Sequence, residues 1–158
     1  MAREVEEAYI DTGTVRLIYV DFPVHGEPAI LAAEAAHCAG KQDAFWTYHD
    51  VLFEKQFKED FTIENLKKFA TELELASEDF DACLDNNEFR EEVVAQLQQA
   101  QQIGLRGTPS FIVRPSLGDD RGQFIPGLAD FEQMSAVIET ELAKTSGEEA
   151  GSTDDNTP

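Results

Sequence analysis

Two cysteines, Cys38 and Cys83, are the only thiols in this chain of 158 residues. They are far apart in sequence, and no Cys-x-x-Cys occurs anywhere. A thiolate is both a nucleophile and a metal ligand, so these two positions bound what sulfur chemistry the chain can do. His37 and His49 are the other side chains with ligand or acid–base capacity. No Cys, His or acid cluster has metal-ligand spacing, and the chain is read as holding no metal and no cofactor. A third stretch draws attention by its backbone: Arg106-Gly107-Thr108-Pro109-Ser110-Phe111-Ile112-Val113. Gly107 permits a sharp turn because it lacks a Cβ. Pro109 cannot donate to a sheet ladder, which suits the first position of a strand. Proline is also the residue before which a cis peptide bond costs little. Alone, the stretch reads as an ordinary turn leading into a short strand.

No internal repeat is evident, and the elements around it are read from their periodicity. Residues 2–11 read as a helix, with Val5, Ala8 and Tyr9 on one face. Gly13 offers a left-handed C-terminal cap. Val15–Val20 reads as a strand buried on both faces of a parallel sheet. From about Ala29 to Gly104 the chain is helical. Asp43, Thr62 and Ser77 are expected caps, and Phe45, Trp46, Phe53 and Phe69 are expected core. Ser110–Val113 and Gln123–Ile125 read as strands joined by a loop over Pro115–Gly122. Asp130 and Gln133 form a capping-box pattern before a final helix.

These anchors together resemble the DsbA-like branch of the thioredoxin superfamily. The similar stretches are Val15-Arg16-Leu17-Ile18-Tyr19-Val20-Asp21-Phe22-Pro23, Ala32-Ala33-Glu34-Ala35-Ala36-His37-Cys38-Ala39-Gly40 and Phe45-Trp46-Thr47-Tyr48-His49-Asp50-Val51-Leu52-Phe53, with Gly-Thr-Pro and Gly127 completing the pattern. The resemblance covers residues 2–143. It implies an α/β, thioredoxin-like fold: a core of 2–28 and 105–144 with an all-helical insertion at 29–104. Residues 145–158, rich in Gly, Ser, Thr and acids, are expected to be a disordered tail. Members of this family carry Cys-x-x-Cys after a central first strand. Here both are absent, and they are expected before Met1. The chain would then expose two strand edges on either side of an empty slot. A truncated or late start, a deliberate fragment and a strand donated by another chain all fit this expectation.

What the resemblance implies for function is thiol–disulfide exchange on cysteine-containing proteins or peptides. Thr108 would present backbone to substrate, and Pro109, after a cis bond, would shape the groove. No catalytic residue lies in this chain, so as it stands it is expected to be inactive. The alternatives are a redox-inactive module that binds peptides or a partner, and a glutathione-dependent relative with a serine nucleophile. Cys38 and Cys83, on separate insertion helices, read as either buried free thiols or a structural disulfide. The disulfide is favoured, with Cα atoms within about 7 Å and a loop closure worth about 4 kcal/mol.

Thirty-two acids against twelve bases give a net charge of −20. That charge excludes nucleic acid and an anionic membrane surface as partners. It favours a salt-rich medium, where self-repulsion is screened. No apolar run is long enough for membrane insertion. The family points outside the cytoplasm. The lack of an apolar leader in this chain fits a missing N-terminal region and equally a cytoplasmic protein.

Overall fold

A computed structural model describes residues 2–116 and 122–149. They divide into two compact units, one drawn from Met1–Tyr19 and Gly107–Pro158, the other spanning Val20–Arg106.

The second unit is helical. Helix α2 (Glu27–Gly40) starts with Pro28 in its first turn, where a missing N–H costs nothing. Its Ala32, Ala35, Ala36 and Ala39 are buried, and such small side chains let α3 (Phe45–Lys55), α5 (Ser77–Asp85) and α6 (Arg90–Gln102) pack on it closely. Helix α4 (Ile63–Glu72) adds Leu66, Phe69 and Ala70, which meet Tyr48, Leu52, Phe80 and Leu84 in one core. Tyr48 is buried but satisfied, its hydroxyl donating to the Leu66 carbonyl at 2.8 Å.

Several local expectations meet the structure. Thr62 caps α4, its Oγ1 accepting from the Asn65 N–H at 3.2 Å. Asp130 and Gln133 form a reciprocal capping box at 2.8 and 3.3 Å. Others do not. Asp43 caps nothing: it sits in the left-handed region (φ 59°), and Ala44 precedes α3 without a side-chain bond. Ala76, not Ser77, is the N-cap of α5, because the Gln42 amide holds the Ala76 backbone at both its N–H and its carbonyl. Phe69 is buried and Phe45 half-buried, but Trp46 and Phe53 are 49% and 58% exposed. Tyr48 and Leu52 set the inward face of α3. At about 100° per residue, Trp46 and Phe53 fall on the other side.

In the other unit, α1 (Ala2–Val5) runs into a π-helical turn over Glu6–Ile10, then Gly13 at φ 75°. Strand β1 (Ser110–Val113) pairs antiparallel with β2 (Gln123–Pro126), Phe111 opposite Ile125. The alternation puts Phe111, Val113 and Ile125 against Met134 and Ile138 of α7 (Phe131–Glu149), with Val5, Tyr9 and Val15 in the same cluster. Ile112 and Phe124 point out. The chain at 117–121, inside the expected Pro115–Gly122 loop, lies outside the described residues.

Three sequence-based expectations change here. Val15–Val20 forms no strand, and Leu17, Ile18, Tyr19 and Val20 are exposed rather than buried on both faces. A strand exists only by pairing, and among the described residues no strand pairs with this one. Residues 20–28 cluster with the helical unit and not with the sheet, because Asp21 is bonded to side chains of α2 and α6. Residues 145–149 continue α7 instead of starting a disordered tail. Once a helix is nucleated, each added residue gains a backbone bond without needing a buried face. Residues 150–158 lie outside the described part.

Candidate functional site

The Thr108-Pro109 peptide bond is cis. The turn is pinned on both sides. Ser110 Oγ donates to the Gly107 carbonyl at 2.7 Å, and the Gly127 N–H donates to the Pro109 carbonyl at 2.9 Å. Gly127 makes the second bond at φ 76°, a conformation that favours glycine. Thr108 is left exposed at the apex, and neither its N–H nor its carbonyl is bonded to another described residue. A fixed backbone with a free donor and acceptor can pair with an extended chain without reading its side chains.

Cys38 of α2 and Cys83 of α5 are joined in a disulfide with Cα atoms 5.8 Å apart. Each is 1% exposed, so neither sulfur is presented to solvent. The structure thus brings these two together, in the helical unit, while Thr108 and Pro109 belong to the other unit. Thiolate chemistry needs access and a lowered pKa, and a buried bridge between two helices supplies neither.

One constellation was not legible in the sequence. Asp21 is 3% exposed, yet its Oδ2 lies 2.6 Å from His37 Nε2, and its own N–H donates to Gln96 Oε1 at 2.7 Å. The His37 ring stacks on Phe89 at 5.1 Å and tilts against Phe45 at 5.4 Å. The hydrogen bond to Asp21 raises the His37 pKa above its ordinary value; burial opposes that, and Glu92 adds to it. The only cue in the sequence was an acid between an apolar run and Phe22-Pro23. No spacing rule links it to a histidine sixteen residues on.

The sign of the resulting pH dependence follows. A histidine whose folded pKa is raised contributes stability that is fully present below about pH 6.5 and is lost as pH rises through the folded value. The expected result is a His37 ring titrating above free histidine by NMR, and a Tm contribution that falls on the alkaline side. Asp21→Asn should bring the ring back toward its ordinary value and flatten that limb. An unchanged titration in Asp21→Asn would show that the pair does not hold the proton.

The chain matches the thioredoxin family over residues 1–140. It is 29% identical over 149 residues to the "Probable disulfide bond formation protein D" of Bacillus cereus, covering 89% of this chain and 64% of that protein. This chain therefore spans less than two thirds of the length of the Bacillus relatives it matches. Among solved structures, BdbD from Bacillus subtilis in its oxidised form superposes with a TM-score of 0.74 at 27% identity, over 89% of this chain and 76% of that one. A thioredoxin-like oxidoreductase of Silicibacter pomeroyi gives 0.70 at 24% identity, over 91% and 78%, a likeness of fold alone.

Proposed function

Because the chain belongs to the thioredoxin family and has the thioredoxin-like fold of its DsbA-like members, we propose that it is the scaffold and substrate-binding part of a thiol–disulfide oxidoreductase. In that reaction a thiolate attacks one sulfur of a disulfide, a new S–S bond forms, and the other sulfur leaves as a thiolate. A second exchange by a resolving thiol completes a two-electron transfer. The substrates are cysteine-containing proteins or peptides. Thr108 pairs with substrate backbone and Pro109 shapes the contact, which suits an activity tolerant of sequence. The Cys38–Cys83 bridge is structural. A stable bridge of this kind belongs in an oxidising compartment, which supports a site of action outside the cytoplasm. The edge of β1 that does not pair with β2 accepts a strand from a segment outside the described sheet.

The observation that carries this reading is the state of the two cysteines: joined, buried, and in the unit that does not hold the Thr108-Pro109 turn. By itself the chain therefore should not exchange disulfides. The same observation favours a second reading, a redox-inactive module that binds peptides through the turn.

The test is an insulin-type disulfide reduction assay together with oxidation of a dithiol peptide. The chain as it stands should give no turnover above background. The same chain extended at its N-terminus by an apolar strand and a Cys-x-x-Cys should turn over both substrates. If the unextended chain is active and Cys38→Ser abolishes that activity, the bridge is the redox centre and the proposal is wrong. If both chains are inert but bind unfolded peptides, the binding-module reading replaces it.

A further inference from the structure

Two of the three buried polar side chains among the described residues, Asp21 and Glu34, lie along one seam of the helical unit. The seam is where α6 and residues 20–26 meet α2. Glu34 and His37 are three residues apart on α2, which puts them on one face. From α6, Arg90 Nη1 donates to Glu34 Oε1 at 2.9 Å, and Arg90 Nη2 pairs with Glu27 at 2.7 Å. From residues 20–26, Asp21 Oδ2 lies 2.6 Å from His37 Nε2, and the Asp21 N–H donates to Gln96 of α6 at 2.7 Å. Gln96 in turn donates to Glu92 at 3.2 Å. One set of polar contacts thus joins α2, α6 and the start of the unit.

Val20 and Arg106 bound this unit. Asp21 is its second residue and α6 its last helix, so the first and last elements of the unit are both held at the seam. Helix α5 is fastened to α2 by other means. The Cys38–Cys83 bridge joins them, and Phe80 and Leu84 pack with Tyr48 and Phe69 in the apolar core. Neither of those attachments depends on a proton.

The charges that face the two titratable groups of α2 are few. His37 meets Asp21, and Glu92 from α6 adds its field. From α3, the Phe45 ring lies against His37 at 5.4 Å and against His49 at 6.2 Å. Glu34 meets Arg90, and Glu27 lies beyond it. Lys41, at the end of α2, is engaged by Glu88 at 2.6 Å. From α4, Lys67 is engaged by Asp85 of α5 at 2.7 Å.

Both groups respond to pH in the same direction. Burial raises the Glu34 carboxyl, and the bond to Asp21 raises the His37 ring. A group raised in the folded state contributes stability below its ordinary pKa and loses it as pH rises through the folded value. Ionised Glu34 keeps a buried Oε2 that has no hydrogen-bond partner among the described residues, and burying such a charge is costly. Neutral His37 withdraws the positive charge opposite the buried Asp21 carboxylate. Glu27 is pulled down by Arg90 and acts the other way, but it is exposed and screened by solvent.

We propose that this seam is a proton-operated clamp. With Glu34 and His37 protonated it holds α6 and residues 20–26 on α2. As both protons leave, those two segments open together while α4 and α5 stay folded on the bridged core. The clamp is a property of the helical unit and does not rest on the redox reading.

The test is hydrogen exchange on the full chain from pH 5 to pH 9, corrected for the intrinsic pH dependence of amide exchange. Protection of residues 20–26 and 90–102 should fall together by about tenfold, while that of 63–85 stays constant. Glu34→Gln should remove the lower-pH part of the fall. The double variant Asp21→Asn, Glu34→Gln should leave protection of both segments level across the range. The wild-type series decides the matter even if a variant fails to fold. Protection that does not change with pH would overturn the clamp. An equal fall at 63–85 would overturn it too, since the whole unit would then be unfolding. Different midpoints for 20–26 and 90–102 would show two separate pairs in place of one clamp.

Discussion

Replacing both Cys38 and Cys83 with alanine is expected to lower unfolding stability by about 4 kcal/mol. The bridge closes a separation of 45 residues. In the chain-entropy relation a loop of that length restricts the unfolded ensemble by about 4 kcal/mol. The bridge also ties α2 to α5, and both sulfurs lie in the core formed with Tyr48, Phe69 and Phe80, so truncation leaves a small void on top of the entropy loss. A domain of this size has about 5–15 kcal/mol in total, which makes the loss a large share. Urea unfolding should show a midpoint shifted far down. Hydrogen exchange should show α2 and α5 losing protection. The reduced wild-type protein should follow the same direction, since it lacks the bridge but keeps the atoms. A loss below about 1 kcal/mol would mean that helix packing alone holds the denatured chain's entropy cost, contrary to the chain-entropy relation.

Arg90→Ala should come next in size, at about 3 kcal/mol. Glu34 is buried in α2, and its Oε1 accepts from Arg90 Nη1 at 2.9 Å while its Oε2 has no hydrogen-bond partner among the described residues. Arg90 also holds Glu27 at 2.7 Å. Removing one member of a buried pair strands the other charge at about 3–5 kcal/mol, and the lower end applies because Arg90 is partly exposed. Burial already pushes the Glu34 carboxyl up against the pull of Arg90. A group raised in the folded state contributes stability below its unfolded pKa and loses it as pH rises. Without Arg90 that rise is larger, so the variant should regain stability as pH falls from 7 toward 5. Glu34→Gln in the Arg90→Ala background should recover part of the loss at pH 7 by removing the stranded charge. If Arg90→Ala is equally destabilising at pH 5 and pH 7, the cost is lost packing of the arginine stem and not an uncompensated carboxylate.

The sequence by itself determined what depends on residues near each other along the chain. The Ala-rich run of α2, the Thr62 cap, the Asp130–Gln133 box and the left-handed Gly13 rest on contacts within a turn, where side-chain type and backbone preference act directly. Gly-Thr-Pro and the absence of Cys-x-x-Cys are legible in the same way, as is the composition behind the net charge. Cys38 and Cys83 were a pair in waiting, because two cysteines allow one bridge.

Tertiary structure alone decided whatever needs a distant partner. Val15–Val20 has strand composition, yet composition cannot supply the neighbour whose N–H and carbonyl groups make a strand: among the described residues the segment joins no sheet, and Leu17, Ile18, Tyr19 and Val20 are exposed. Trp46 and Phe53 are as apolar as Phe69, but their exposure depends on which face of α3 meets α2 and α4. Asp21 with His37, and Glu34 with Arg90, join positions sixteen and fifty-six residues apart. No local periodicity encodes such pairs. They form because the packed helices bring these charges together, and burial makes an unpaired charge too costly to keep.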